Sequence, residues 1–284
     1  MQIIDGQQLA TEINQRTARE IFNQSPEQRP GLAIILAGQR PDSELYVKLK
    51  EQKAKEVGID THLYKIKNKE TTDDILELIK FLNQDPEING ILIQLPLPDK
   101  YDTDKIISAI APQKDVDCFH PTNVQKLRTY QPEKEMILPP VYGAVLLILE
   151  KIYFIPTGQQ ALVLANSDLF GQGLKDILET KEIKVSVAKP SDKDLKNKIK
   201  QADLLITALG KKHFIKGDMI KPNAVVIDIG IVREGGKVYG DVDFAEAKEM
   251  SSAITPVPGG IGPLTIAKVL ENTWRLTKQQ RGLK

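Results

Sequence analysis

From residue 31 onward the chain alternates short, continuously apolar runs with helical patterns, and it does so in two separate blocks. A strand that is apolar on both faces needs cover on both faces. Runs such as Leu32-Ala33-Ile34-Ile35-Leu36 and Ile91-Leu92-Ile93 therefore point to parallel sheets with helices packed above and below. The first block reads as strands at 31–37, 61–66 and 90–94 with helices at 43–57 and 72–83. The second reads as strands at 161–165, 184–188, 203–208 and 224–229. The expected fold class is α/β, in two domains.

A chain of 284 residues is long enough for two cores. Residues 119–140, with Pro121, Pro132, Pro139 and Pro140, read as a connector that leads into a linking helix at 143–152. The last helix, 263–280, follows a glycine and proline turn that can return the chain to the first domain and leave a cleft between the two. With 39 basic against 38 acidic residues, charge makes no case for nucleic acid or membrane. Cys118 is the only cysteine, which excludes an internal disulfide and a thiolate metal cluster and suits a reducing cytoplasm. His62, His120 and His213 are too scattered for a zinc site, so no metal is expected. The N-terminal residues lack the basic and apolar regions of a signal peptide, and no run approaches membrane-spanning length.

The helix at 43–57 carries the first chemical hint. Pro41, Asp42 and Ser43 can mark its start and Gly58 its end. On a helical wheel Tyr46, Val57, Lys50, Ala54 and Val47 fall within one stripe about 100° wide with Lys50 at the centre, while Glu44, Lys48, Glu51 and Lys55 lie opposite. An ammonium pushed toward low dielectric loses proton affinity and can serve as a general base. Alternatively its stem packs and its head snorkels to water. The helix alone leaves both readings open.

Gln94 in Gln94-Leu95-Pro96-Leu97-Pro98 puts an amide at the carboxyl end of a buried strand, the edge at which open α/β sheets bind ligands. Asp115-Val116-Asp117 supplies two carboxylates on opposite sides of an extended segment, so at most one faces a given cleft. Either pattern has a bland counterpart: a proline-rich strand exit and solvated connector charges.

Taken in order, Tyr46 with Lys50, Gln94 in its proline-rich pentapeptide, Lys114-Asp115-Val116-Asp117, and the block Ile254-Thr255-Pro256-Val257-Pro258-Gly259-Gly260-Ile261-Gly262-Pro263-Leu264-Thr265-Ile266-Ala267 resemble the bifunctional methylenetetrahydrofolate dehydrogenase/cyclohydrolase (FolD) family. The resemblance runs from Ile3 to about Thr273. It implies oxidation of 5,10-methylenetetrahydrofolate with NADP or NAD and hydrolysis of the methenyl product to 10-formyltetrahydrofolate, in one-carbon metabolism, by a cytoplasmic homodimer. It implies a folate-binding catalytic domain at 1–137 and 263–284, and a Rossmann-like domain at 138–262. Lys50 would be the general base or proton carrier, hydrogen-bonded and tuned by Gln94. Tyr46 would stack on the folate, Asp117 would accept from the amino-pyrimidine edge of the pterin, and the Pro258-Gly259-Gly260 turn would let backbone approach the ligand.

The resemblance weakens at the dinucleotide site. Where the family reads Gly-Arg-Ser-x-x-Val-Gly-x-Pro, this chain has Ala165-Asn166-Ser167-Asp168-Leu169-Phe170-Gly171-Gln172-Gly173. Ser167 and Gly171 remain, but Asn166 replaces the arginine expected to pair with the 2′-phosphate of NADP, and Ala165 replaces a glycine. Cys-His-Ser-Arg-Thr becomes Ala188-Lys189-Pro190-Ser191-Asp192, where Lys189 could partly compensate. Pro-Cys-Thr-Pro-x-Gly becomes Leu138-Pro139-Pro140-Val141-Tyr142-Gly143, and Cys118 stands where a glycine follows Asp117. Asp228-Ile229-Gly230-Ile231 still matches, with the backbone of Ile231 expected near the cofactor. Two alternatives stay open: a cyclohydrolase that has lost the dehydrogenase, which would bind no dinucleotide, and a non-catalytic folate-binding or dimerising paralogue, whose cellular role would survive replacement of Lys50.

Overall fold

The computed structural model describes residues 1–129 and 136–283. Pro132 of the connector lies outside them. The chain divides into two compact units. One, the lysine-bearing unit, holds Ala10–Lys126, Ile137–Pro140 and the residues from Ile266 on; the other is built mainly from Met1–Leu9 and Val141–Thr265.

In the lysine-bearing unit a parallel sheet runs in the order Asp60–Ile66, Gly31–Ala37, Gly90–Ile93, with Leu32 opposite both Thr61 and Gly90. All seven residues of the central strand are buried. Leu32, Ile34 and Leu36 pack with Val47, Val57 and Trp274 on one face, and Ala33, Ile35 and Ala37 with Ile75, Ile79 and Leu82 on the other. This is why the run is continuously apolar: each face has its own layer of helices.

The lysine helix is Pro41–Val57, two residues longer at its start than expected. Pro41 takes the first helical position, where its missing N–H costs nothing, and Arg40 is the N-cap without a side-chain hydrogen bond. Asp42 and Ser43 therefore lie inside the helix, and Ser43 is buried. At the other end Gly58 adopts φ +86° and donates to the carbonyls of Ala54 and Lys55, a left-handed cap that a side chain would strain. The next helix, Thr72–Gln84, opens with a capping box between Thr71 and Asp74. Its last carbonyls are met from outside: the buried Lys114 ammonium donates to Leu82 O at 2.9 Å and to Asp85 O at 2.7 Å.

The second unit holds a parallel sheet in the order Lys184–Ala188, Gln160–Ala165, Leu204–Ala208, Ala224–Asp228, Ser251–Ile254, Gln2–Ile3. Counted from Gln160–Ala165 and leaving aside the edge strand Gln2–Ile3, the order is 2-1-3-4-5, so the winding reverses between Gln160–Ala165 and Leu204–Ala208. The edge strand Gln2–Ile3 departs from the expected division, which set residues 1–137 together. It pairs in parallel with Ala253 and Ile254, and this carries the first nine residues into the six-stranded unit. Gly6 secures the junction, since a Cβ there would stand 1.8 Å from the Gly260 carbonyl oxygen. The helix expected at 143–152 is Pro140–Lys151, and from Val141 on it belongs to the six-stranded unit, burying Ala144, Val145 and Ile148. An antiparallel hairpin, Val232–Glu234 with Lys237–Tyr239, turns at Gly235 and Gly236, both at positive φ. The final helix, Ile261–Arg281, buries Val269, Leu270 and Trp274 in the core of the lysine-bearing unit.

Candidate active site

Lys50 lies one turn beyond Val47 and one turn before Ala54, on the packed side of its helix. Its ammonium donates to Gln94 Oε1 at 2.9 Å. Gln94 is placed by two backbone features: its N–H continues the ladder to Ile35 O at 2.9 Å, and its own amide nitrogen donates to Leu95 O at 2.9 Å. That second bond orients the amide with its oxygen toward the lysine. Burial pushes Lys50 below the ordinary lysine range, and the Asp117 carboxylate pulls the other way. Burial also pushes Asp117 up to about 6, against the attraction of Lys50 and together with the repulsion of Asp115. The partly exposed Lys50 thus has an internal amide as one partner of its ammonium. Tyr46, one turn earlier, is half-buried on the same helix.

The two carboxylates of Asp115-Val116-Asp117 separate as the extended segment requires. Asp115 is buried and structural: Oδ2 accepts from His120 N at 2.8 Å and Asn123 Nδ2 at 3.0 Å, and its residue bridges Ile91. Asp117 is left to the lysine. One residue that positions this segment carries no chemical signal of its own in the sequence. Asn272, buried in the last helix, donates to Val116 O and to Leu138 O, each at 2.9 Å. Cys118 is buried at φ +59°, a conformation that suits glycine, and its thiol donates to Ile137 O at 3.3 Å.

In the six-stranded unit the point of reversed winding is lined by Asn166 and Ser167 on one side and Leu209 and Gly210 on the other. Ala165 ends its strand and is buried. Asn166 Nδ2 donates to Leu209 O at 2.7 Å, tying the two strand exits together. Ser167 caps the helix Asp168–Glu179 by accepting from Phe170 N at 3.2 Å. Gly171 faces the sheet, where a Cβ would stand 2.6 Å from Val187 Cγ1. Ile231 is partly exposed, and its carbonyl lies 4.0 Å from where a Cβ on Gly210 would be, so the third and fourth strand exits also meet here. Lys189 follows the second strand and pairs with Asp168 at 2.7 Å. This arrangement fits a dinucleotide: a tight strand-to-helix turn, a helix N-terminus and close helix–sheet packing through glycine at the switch point. Gly173, which stands at the proline of the family pattern, leaves room for Tyr142: a Cβ there would stand 2.8 Å from the Tyr142 hydroxyl, which donates to Phe170 O at 2.9 Å.

Pattern reasoning missed the carboxylates that organise these exits. Asp241, fully buried, accepts from Thr207 Oγ1 at 2.9 Å, Leu209 N at 2.6 Å and Lys211 N at 2.8 Å. Asp228 accepts from Gly230 N, Asp241 N and Val242 N. Burial pushes Asp228 up to about 7 against those donors, with Asp241 adding repulsion. The signal available was the pair of glycines, Gly230 and Gly240, whose Cβ atoms would collide with Asp241 and Asp228 respectively. Gly259 takes φ +103° and Gly260 packs against Thr255 and Pro256, so both glycines of that turn answer internal demands, while Pro258 is exposed. Among the described residues no three of His, Cys, Asp or Glu are grouped to hold a metal ion, and no helix is long and apolar enough to cross a membrane.

Fold and site together define a two-unit α/β protein with a desolvated lysine–amide pair at the edge of one parallel sheet and a dinucleotide-type turn at the switch point of the other. The tetrahydrofolate dehydrogenase/cyclohydrolase catalytic domain matches residues 4–117, and the NAD(P)-binding domain of the same family matches residues 139–281. The bifunctional protein FolD of Lactobacillus delbrueckii subsp. bulgaricus is 38% identical over 283 residues, 99% of each chain. The crystal structure of the bifunctional FolD enzyme from Campylobacter jejuni covers 99% of both chains at 38% identity and a TM-score of 0.94. That of the Trypanosoma brucei FolD, complexed with NADP cofactor and inhibitor, covers 98% of both at 30% identity and a TM-score of 0.92. The chain belongs to the tetrahydrofolate dehydrogenase/cyclohydrolase family.

Proposed function

We propose that this protein oxidises 5,10-methylenetetrahydrofolate to 5,10-methenyltetrahydrofolate with NAD(P) and hydrolyses the product to 10-formyltetrahydrofolate. The observation that carries the reading is the Lys50 ammonium held on Gln94 Oε1 at 2.9 Å beside Asp117, with its pKa lowered by burial. In the hydrolysis water adds to the methenyl carbon, the bond from that carbon to N5 breaks, and the formyl group stays on N10. One water proton ends on N5 and the other is released. A lysine whose proton affinity is lowered by burial can take the first as the water attacks and deliver one to the departing nitrogen. Gln94 holds the ammonium in place and Asp117 limits how far its pKa falls. The Asp117 carboxylate accepts from the amino-pyrimidine edge of the pterin, and Tyr46 stacks on the folate.

For the oxidation a bound nicotinamide supplies the hydride acceptor. The chain's own part is to seat the dinucleotide by the backbone at Ala165, Asn166 and Ser167, by the close packing that Gly171 permits, by Lys189, and by the backbone at Ile231. The protein works in the cytoplasm as a homodimer formed through the six-stranded unit. Incubation with methylenetetrahydrofolate and each dinucleotide, and separately with methenyltetrahydrofolate, tests the reading. Dinucleotide reduction together with accelerated loss of the methenyl absorbance is expected. Hydrolysis without reduction would leave a cyclohydrolase alone, and inactivity in both assays would refute the proposal.

A further inference from the structure

Dinucleotide-binding sheets read the adenosine ribose where their second strand ends, either with an acid that accepts from the 2′-hydroxyl or with a cation that pairs with a 2′-phosphate. In this chain the second strand is Lys184–Ala188 and the next residue is Lys189. A free lysine here would favour the phosphate. Lys189 is not free, because Asp168, the first residue of the helix after the first strand, reaches across and Oδ2 accepts from its ammonium at 2.7 Å. Asn166 brings no charge, and its amide is already spent on Leu209 O. Residues 165–168 and 188–193 contain two lysines and two aspartates, no net positive charge to meet a phosphate. Asp192 is itself paired, with the Lys198 ammonium at 2.5 Å.

We infer that the Asp168–Lys189 pair selects the ribose 2′-hydroxyl over a 2′-phosphate, so that this chain prefers NAD to NADP, with Asp168 as the discriminating residue. The inference rests on the dinucleotide reading of the six-stranded unit. Asp168 accepts from the ribose hydroxyl while Lys189 holds the carboxylate in place. A 2′-phosphate, which brings about one and a half to two negative charges, meets a lysine that is already neutralised and a carboxylate that repels it.

Calorimetric titration of the purified protein with NAD and with NADP, without folate, reads this independently of turnover. Wild type is expected to bind NAD at least about tenfold tighter than NADP. Asp168→Asn should release Lys189 and tighten NADP on the order of tenfold without tightening NAD. Lys189→Met leaves Asp168 unbalanced and should widen the preference for NAD; both side chains are surface-placed, and thermal melts verify folding of each variant. Equal or tighter binding of NADP by wild type, or a ratio unmoved by both substitutions, overturns the inference while leaving the dinucleotide site intact. Failure of wild type to bind either dinucleotide overturns the site and the inference with it.

Discussion

Asp117→Asn removes one member of the charge pair on which the proposed chemistry depends, and its effect on stability can be worked from the folded state. The carboxyl moves from its ordinary 3.8 to about 6, which at about 1.4 kcal/mol per pH unit corresponds to about 3 kcal/mol. Because the folded pKa stands above the unfolded one, the folded state holds the proton more tightly. The contribution to stability is therefore full below about pH 4 and is lost as the pH rises through about 6. Asparagine has no such dependence. Between pH 4 and pH 7 wild type should lose about 2.5 kcal/mol relative to Asp117→Asn. Urea unfolding followed by the fluorescence of Trp274, the only tryptophan and buried in the core of the same unit, reads the difference. Without the carboxylate, Lys50 also loses the attraction that offsets burial, so its titration, followed by NMR of labelled lysine side chains, should move down. A stability difference that stays flat across this range, or a Lys50 midpoint that rises, would refute the electrostatic account.

Gln94→Glu places a carboxylate where the lysine now meets an amide oxygen, raises the Lys50 pKa and holds the proton; methenyl hydrolysis near pH 7 should fall on the order of a hundredfold while thermal stability changes little. Cys118 should not react with an aromatic disulfide reagent in the native protein, since its thiol is buried and burial pushes its pKa well up, and should react fully in denaturant. Asn272→Ala orphans the carbonyls of Val116 and Leu138 and should cost about 2–4 kcal/mol in urea unfolding. The same variant should raise KM for folate, because the freed segment carries Asp117.

Much of the architecture was legible because it is written in continuous apolar runs: the strand at 31–37 has the expected bounds, and the neighbouring strands differ by a residue at one end. Lys50 was legible because a charge at the centre of an apolar stripe is conspicuous, and Gln94 because it directly follows a buried strand. The edge strand Gln2–Ile3 was not, since two residues carry no periodicity and their partner lies some 250 positions away. The lysine helix starts earlier than its polar residues suggest because a proline at the first position needs no side-chain cap. Asp228 and Asp241 look like ordinary acids in the sequence; their burial follows from the return of distant loops onto two strand ends. The Asp168–Lys189 pair was invisible because its members lie 21 positions apart at different strand exits, and Lys189 alone reads as a cation for the phosphate.

The central claim is that Lys50 carries the proton in methenyl hydrolysis. The most direct test is the rate of 5,10-methenyltetrahydrofolate hydrolysis by Lys50→Met, measured against wild type and the uncatalysed reaction in preparations with matched melting profiles. A loss of about a hundredfold to ten-thousandfold is expected for removal of a general acid–base group. A variant rate within a few-fold of wild type would contradict the account.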